Sequence, residues 1–442
     1  MSESIDRRDF LAAGAAVAST LALQGALYAA DSQTMNVGVI GCGGRGMGAV
    51  RNILDADKNV QIVGLCDLFE DKVKQELGKL KKGKRSDQIV ADEGTCFHGF
   101  DGYKKLLQVQ DLNYLIIATP PGFRPYHLEA AIEAGKNIFT EKPVAVDVAG
   151  IRKCLELVKK SKDKNLKIAA GTQRRHQAGY LATMKQVHTG LIGDIVSARV
   201  YWNGTTPWDH PRPKGMSDAH YQLYNWYHFL WLCGDHIVEQ HVHNLDVANW
   251  ALKGHPIKAT GMGGRSNRRV GDPKDAGHIF DHFAVEYEYP NNVIVQSYCR
   301  QIEGCANAVD EHFVGTKGRV YTNNNGTYLL NGKELAPADR IDPYVQEHND
   351  LINAIRDDKP INELENVIHS TFTAILGRMS TYSGKALKWD DVLHGVTIKR
   401  GGKEVHEDPW FEDTMPKNLS LDMDLPVDPV PVVGRWKPKK SA

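Results

Sequence analysis

The chain has little of what several protein classes require. It has no charge excess: Lys+Arg and Asp+Glu both number 54, so the formal net charge is zero. That balance excludes the electrostatic footprint by which proteins hold nucleic acid or an anionic membrane surface. The pairs Lys81-Lys82 and Lys439-Lys440 are too short to act as a basic patch. A cysteine framework is also missing. The seven cysteines (Cys42, Cys66, Cys96, Cys154, Cys233, Cys299 and Cys305) are scattered, odd in number and without a CxxC pair. This excludes a disulfide scaffold or a zinc ribbon and leaves buried thiols. Internal repeats are absent, and beyond Ala30 no apolar run is long enough to span a bilayer.

The start of the chain carries a signal. Arg7-Arg8-Asp9-Phe10-Leu11 precedes an Ala-rich apolar stretch that runs to Ala30. A twin arginine ahead of a modest apolar region reads as a Tat-type export signal over residues 1–31, cleaved near Ala29 or Ala30. Gly14, Ser19, Gln24 and Gly25 interrupt the stretch and make it a poor membrane anchor. The expected location is periplasmic or otherwise exported. Tat export carries folded cargo, so free thiols and a nucleotide site are compatible with export.

From Asn36 the sequence alternates strand and helix. Apolar runs at Val37–Ile40, Val60–Cys66, Tyr114–Ala118, Asn137–Thr140 and Lys167–Ala170 read as strands. Helical segments at Gly46–Leu54, Glu70–Leu80, Tyr126–Ala134 and Ala149–Lys160 fall between them. Such alternation predicts an α/β fold: a doubly wound parallel sheet, a Rossmann domain over 36–175. After residue 176 the pattern becomes α+β. Strands are expected at Asp194–Asn203, Phe283–Tyr289 and Val293–Tyr298, with a hairpin turn at Pro290-Asn291-Asn292 and helices at Val345–Ile355 and Glu363–Ser383. Residues 176–395 form this second domain, and the Pro- and Asp-rich 396–442 reads as an extended arm.

Gly41-Cys42-Gly43-Gly44-Arg45-Gly46 is a G-x-G-x-x-G element directly after the first strand and opening the first helix, the context that dinucleotide binding requires. Gly41 permits the turn, Gly43 admits the pyrophosphate to the backbone, and Gly46 lets helix and strand pack closely. Gly44 and Arg45 belong to the same cradle. Asp67 ends the second strand about 20 residues further on, where a carboxylate binds the adenosine ribose hydroxyls and repels a 2′-phosphate. The cofactor is therefore read as NAD, with NADP disfavoured; Lys72 nearby leaves a route for a phosphate.

Ala118-Thr119-Pro120, His127 and Ala134-Gly135-Lys136-Asn137-Ile138-Phe139-Thr140-Glu141-Lys142-Pro143, taken with the glycine loop, resemble the Gfo/Idh/MocA oxidoreductases. The resemblance runs from about Asn36 to Leu393. It implies a second domain with a large open, mostly antiparallel sheet, association as a homodimer or homotetramer, a tightly held cofactor, and a sugar or polyol substrate. It places Thr119, Pro120, His127, Glu141 and Arg174 near the cofactor and makes Lys142 the lysine of the reaction. An ammonium at a strand's C-terminal end can bind a substrate hydroxyl and stabilise a developing alkoxide.

A second constellation is Gly234 to Trp250. If the segment is one helix, Glu239 and His243 share a face, with His236 close by. The family often has D-x-x-x-H here; His243 matches as general acid/base, and Glu239 replaces the aspartate. His236, Glu239 and His243 are also metal-ligand types, but His241 and His243 would point apart on a helix, and hydride transfer needs no Lewis acid. No metal is assigned. Arg174 and Arg175, from Gly171–His176, are candidates for cofactor or substrate contact, with a surface ion pair as the alternative. Trp208 and Tyr227, from the aromatic-rich run Tyr201–Trp231, are candidates for stacking on a sugar face, with core packing as the alternative. Three functions are compatible with these residues: an NAD-dependent dehydrogenase of a sugar, polyol or glycoside; an NAD-dependent glycosidase working by transient sugar oxidation and elimination; and a non-catalytic Rossmann binding protein.

Overall fold

The computed structural model describes residues 33–440, apart from 267, 269–271 and 335–340. The export signal read over 1–31 lies outside the described residues. Six parallel strands form the first sheet: β1 (Met35–Ile40), β2 (Val60–Asp67), β3 (Cys96–His98), β4 (Tyr114–Ile117), β5 (Asn137–Thr140) and β6 (Ile168–Ala170). Their order is β3-β2-β1-β4-β5-β6, the doubly wound arrangement. The strand order reverses between β1 and β4, so a crevice opens beyond their C-terminal ends, where Gly41 and Thr119 stand. Strands β1, β2, β4 and β5 are almost wholly buried, which is why they read as continuous apolar runs.

Nine further strands make a second sheet among the described residues: β7 (Ile195–Gly204), β8 (Lys258–Gly264), β9 (His282–Tyr289), β10 (Val293–Gln301), β11 (Ala308–Gly315), β12 (Arg319–Asn323), β13 (Tyr328–Leu330), β14 (Lys333–Glu334) and β15 (Leu387–Lys388). The order is β14-β13-β12-β11-β7-β10-β9-β8-β15, antiparallel at every junction except β7–β10. The turn between β9 and β10 is the expected one; Asn291 and Asn292 adopt left-handed φ of 62° and 60°. One sheet face is buried beneath the helices Val242–Leu252 and Leu364–Ser383: Phe283, Val285, Tyr287 and Tyr289 point inward, and the Tyr289 hydroxyl donates to Asn249 at 2.6 Å. The other face is open and carries Met262 at 71% exposure and Val314 at 44%.

Two segments tie the halves together. The helix Pro343–Arg356 lies outside the first domain in sequence yet puts Leu351 and Ile352 into the first sheet's core beside Val39, Val50 and Tyr114. The C-terminal arm forms a hairpin (Val396–Arg400 with Lys403–Glu407) and then runs back along the molecule. The carboxylate of Asp147 caps the helix Val148–Asp163 and also accepts from Thr414 N and Oγ1, each at 2.7 Å. Buried Glu412 pairs with buried Arg378. No described helix is long and apolar enough to cross a membrane.

Candidate active site

A cleft of about 1250 Å³ opens where the first sheet's strand order reverses and extends under the second domain. Its floor is the glycine loop. Gly41 has φ +97°, and a Cβ there would stand 2.7 Å from the Ala118 backbone. At Gly46 a Cβ would lie 1.9 Å from the Gly41 carbonyl oxygen. These two glycines are demanded by packing, and Gly46 is buried beneath the cleft. Gly43 and Gly44 differ: a Cβ at either meets nothing within 4 Å, so they face open space at the start of the helix Gly44–Ala56, which has no side-chain cap. Uncapped amides beside open space suit a pyrophosphate. Asp67 lines the same end. Its Oδ2 accepts from Cys42 N at 2.8 Å and its Oδ1 from Phe69 N at 3.1 Å, which aims the carboxylate where ribose hydroxyls would lie. Burial raises the Asp67 pKa, against these backbone bonds. The residues present therefore fit a nicotinamide dinucleotide.

Two variants separate the roles of the glycines. Gly43→Ala should melt like the native apoprotein yet bind NAD at least about tenfold more weakly, because its methyl occupies the phosphate space. Gly46→Ala should lose stability even without cofactor, by about 1–3 kcal/mol, through overpacking against backbone. Thermal melts with and without NAD check both; equal behaviour of the two would contradict the assignment.

Thr119, Pro120 and His127 form the next part of the wall. Thr119 Oγ1 lies 3.1 Å from His127 Nδ1, and burial lowers His127 to about 3. Arg124 carries no motif in the sequence. This buried cation lines the cleft, donates to Thr119 O at 2.7 Å and to Pro143 O, and so ties the turns after β4 and β5 together. Burial lowers it to about 10. Nothing but its position before Pro125, at a helix start, signalled it. Arg45 is fully engaged in cross-links: it pairs with Glu141 and, at 3.0 Å, with Glu347, and its guanidinium covers the Tyr344 ring at 4.8 Å.

Lys142, Glu239 and His243 meet at the inner end. Lys142 is 7% exposed; its ammonium donates to the Glu239 carbonyl and lies 3.2 Å from Glu239 Oε1. Glu239 Oε2 and His243 Nδ1 are buried with no partner among the described residues. Burial raises Glu239, with Lys142 and Arg124 opposing, and burial together with Lys142 and Arg174 holds His243 well below the ordinary imidazole range. The expected single helix is absent. It breaks after Glu239, giving His236–Glu239 and Val242–Leu252. Glu239 and His243 still share the cleft wall, but through the break rather than helical spacing. The same break buries His241 against β10, with Nε2 2.7 Å from Ser297 Oγ. His243 stacks on Trp202 at 5.6 Å.

Several expected site residues lie elsewhere. His236 is wholly buried against Asp235 and Phe283. Arg174 is buried in an ion pair with Glu311 at 2.6 Å and lies over Trp202, behind His243. Arg175 makes a forked contact with Asp246, 2.8 Å at its shortest, and covers Trp250. Among the described residues no group of three His, Cys, Asp or Glu side chains is arranged to hold a metal ion.

The outer wall is aromatic. Trp208, 41% exposed, stacks on His210 and meets Trp226 and Tyr227 edge-on. Toward the adenosine end Phe69 stacks on His220 at 5.1 Å. The C-terminal arm supports this wall, with Leu425 buried among Tyr221, Phe229 and Trp231.

The buried imidazoles make stability pH-dependent. Burial lowers His127 and His241 to about 3 and His228 and His278 to about 4. An unfolded histidine takes its proton near 6.5, so below that pH the unfolded state binds more protons and stability falls as pH falls, by up to about 1.4 kcal/mol per pH unit for each such group. His176 has the opposite shift: burial opposes it, but Asp350 and Glu363 raise it to about 10, so its contribution is complete below 6.5 and is lost as pH rises toward 10. Melting temperature should drop by several degrees between pH 7 and pH 5; a flat profile would contradict the buried neutral histidines.

Comparison with known proteins agrees with this architecture. Residues 35–168 match the sequence profile described as "Oxidoreductase family, NAD-binding Rossmann fold", and residues 180–321 match "GFO/IDH/MocA C-terminal domain". An inositol 2-dehydrogenase of Salmonella paratyphi B is 24% identical over 221 residues, 50% of this chain and 55% of its own. A glycosyl hydrolase family 109 protein of Solibacter usitatus is 30% identical over 172 residues, 38% of this chain and 37% of its own. The chain thus spans between a third and three fifths of the length of these relatives. Among solved structures, the aldose-aldose oxidoreductase of Caulobacter crescentus aligns with TM-score 0.64 at 17% identity, covering 80% of this chain and all of that one. A levoglucosan dehydrogenase in complex with NADH and levoglucosan aligns with TM-score 0.64 at 16% identity, covering 80% and 99%. With both domain profiles matched in order and the doubly wound and open sheets in place, the chain belongs to the GFO/IDH/MocA family of oxidoreductases, with an NAD-binding Rossmann domain and the family's C-terminal domain.

Proposed function

We propose that the protein is an NAD-dependent dehydrogenase that oxidises a carbinol of a neutral sugar, polyol or glycoside, or reduces the corresponding ketone. The observation that carries this reading is the meeting of a buried ammonium, Lys142, and a buried neutral imidazole, His243, in a cleft floored by the glycine cradle. When bound, the nicotinamide accepts or returns the hydride. The chain's own residues do the rest. Lys142 binds the reacting hydroxyl and stabilises negative charge on its oxygen. His243, held neutral by burial and lining the cleft, takes the hydroxyl proton. Glu239 anchors the ammonium through one oxygen and offers the other to a neighbouring hydroxyl. Lys142 is already paired with Glu239, which suits an uncharged substrate, and the Trp208 ring suits the apolar side of a pyranose ring. Inositol and levoglucosan dehydrogenases among the relatives and structural neighbours support the substrate class.

The aromatic wall braced by the arm supports a tightly held cofactor. The open sheet face, with Met262 and Val314 exposed, supports a homodimer or homotetramer, and Arg7-Arg8 supports export to the periplasm before the signal is removed. The test is direct. Purified protein, with NAD, is offered myo-inositol, aldoses, levoglucosan and aryl glycosides, and NADH is followed. Its appearance with a polyol or sugar supports the dehydrogenase. The matched glycosyl hydrolase family 109 proteins favour one second reading, transient oxidation with net glycoside cleavage; release of the aryl group without NADH accumulation would select it. Failure to bind nicotinamide at all would leave a non-catalytic Rossmann protein.

A further inference from the structure

A buried polar chain behind the cleft fixes which way one hydrogen bond runs. Arg268 is 4% exposed; its Nε donates to Phe280 O at 2.8 Å and its Nη2 reaches Gln301 Oε1. A guanidinium has no acceptor, so the Gln301 atom facing it must be the carbonyl oxygen. The Gln301 amide nitrogen is then turned the other way, and it donates to the Tyr227 hydroxyl at 2.8 Å. The Tyr227 oxygen is thereby an acceptor, and its own proton has no partner among the described residues. Tyr227 is 3% exposed, lines the cleft with Glu239, and is held by Trp208 and Trp226. Glu239 Oε2, also unpartnered, is a pure acceptor when ionised. A donor and an acceptor on one wall match a hydroxyl group, which can accept from the first and donate to the second.

We propose that Tyr227 is a specificity-determining residue: its phenol donates to a hydroxyl adjacent to the reacting carbinol, that hydroxyl donates to Glu239, and Gln301 and Arg268 are positioning residues that keep the phenol proton turned into the cleft. The substrate is therefore a compound with at least two neighbouring hydroxyls, not a simple alcohol. The inference rests on the dehydrogenase reading and assigns to it a second recognised group.

Burial and the nearby Glu239 keep the Tyr227 phenol protonated, consistent with a donor. The decisive variant is Gln301→Glu. A carboxylate there still accepts from Arg268 but cannot donate to Tyr227, so it draws the phenol proton away from the cleft while keeping the side-chain shape. The holoenzyme is assayed with myo-inositol, D-glucose, D-xylose and levoglucosan, and the compound turned over best is compared with its monodeoxy analogues. Tyr227→Phe and Gln301→Glu should each raise KM about tenfold with kcat changed less than about threefold, the size of one lost hydrogen bond. The double variant should be no worse than either single one, and one deoxy analogue should lose its disadvantage in all three. A purely structural role would lower melting temperature without closing that gap. Native KM and native discrimination in Tyr227→Phe, or in Gln301→Glu, would overturn the Tyr227 assignment alone. Turnover of none of the four compounds would bring down the dehydrogenase reading and this inference with it.

Discussion

Exchanging Lys142 for methionine is expected to lower kcat by about two to three orders of magnitude, with kcat/KM falling in proportion. The ammonium lines the cleft with His243, where the proposed alkoxide would form, and burial makes its field count for more than it would in water. The variant also strands Glu239. A buried carboxylate left without its partner costs about 3–5 kcal/mol if it stays charged. Glu239 is already raised by burial and would take up a proton instead, which limits the damage. The double variant Lys142→Met/Glu239→Gln removes both charges together and should recover most of the melting temperature while remaining inactive. Turnover in the double variant near the native rate would show that Lys142 serves the fold rather than the reaction.

His243→Asn is expected to cost about two to four orders of magnitude in the oxidation direction. Asparagine keeps a polar side chain beside Trp202 but cannot take a proton. The pH profile gives the sign. Burial, with Lys142 and Arg174 adding positive charge, holds His243 far below 6.5, so the ring is neutral and proton-accepting across neutral pH. Oxidation should therefore be insensitive to this group from pH 8 to 6.5 and should decline only at lower pH, where the imidazole becomes charged. In His243→Asn that acid limb should vanish from the residual activity. A native profile that already falls between pH 8 and 7 would contradict the buried neutral imidazole.

Much of this was legible in the sequence for a physical reason. Strands buried on both faces must be apolar throughout, so β1, β2, β4 and β5 stood out, and the glycine loop between β1 and its helix admitted few readings. Gly43, Asp67, Thr119 and Lys142 stand at strand ends of that sheet and line the cleft. The second sheet was only partly visible. Its strand β11 carries Asp310-Glu311-His312, and Glu311 is buried because Arg174 pairs with it. A charged pair that satisfies itself across the fold hides the strand and misdirects the reading of Arg174. The strand β8, Lys-Ala-Thr-Gly-Met-Gly-Gly, has too few large side chains to show a period; a Cβ would meet Thr381 at Gly261 and the His282 carbonyl at Gly263. Helical spacing brought Glu239 and His243 together on paper. The chain brings them together through a break, which removes His236 from the cleft and buries His241. The sequence presents Tyr227 as a stacking residue, but its hydrogen bond to Gln301, and that of Gln301 to Arg268, join segments distant in sequence, and Arg124 is set by the turns after β4 and β5 rather than by a local pattern.

In the proposed reaction one carbinol oxygen lies between Lys142 and His243. A crystal structure of the catalytically impaired His243→Asn enzyme with NAD and the best substrate tests this most directly. The reacting oxygen is expected within hydrogen-bond distance of the Lys142 ammonium and of the substituted side chain, with its carbon facing the nicotinamide; a substrate bound there that touches neither side chain would contradict the assignment.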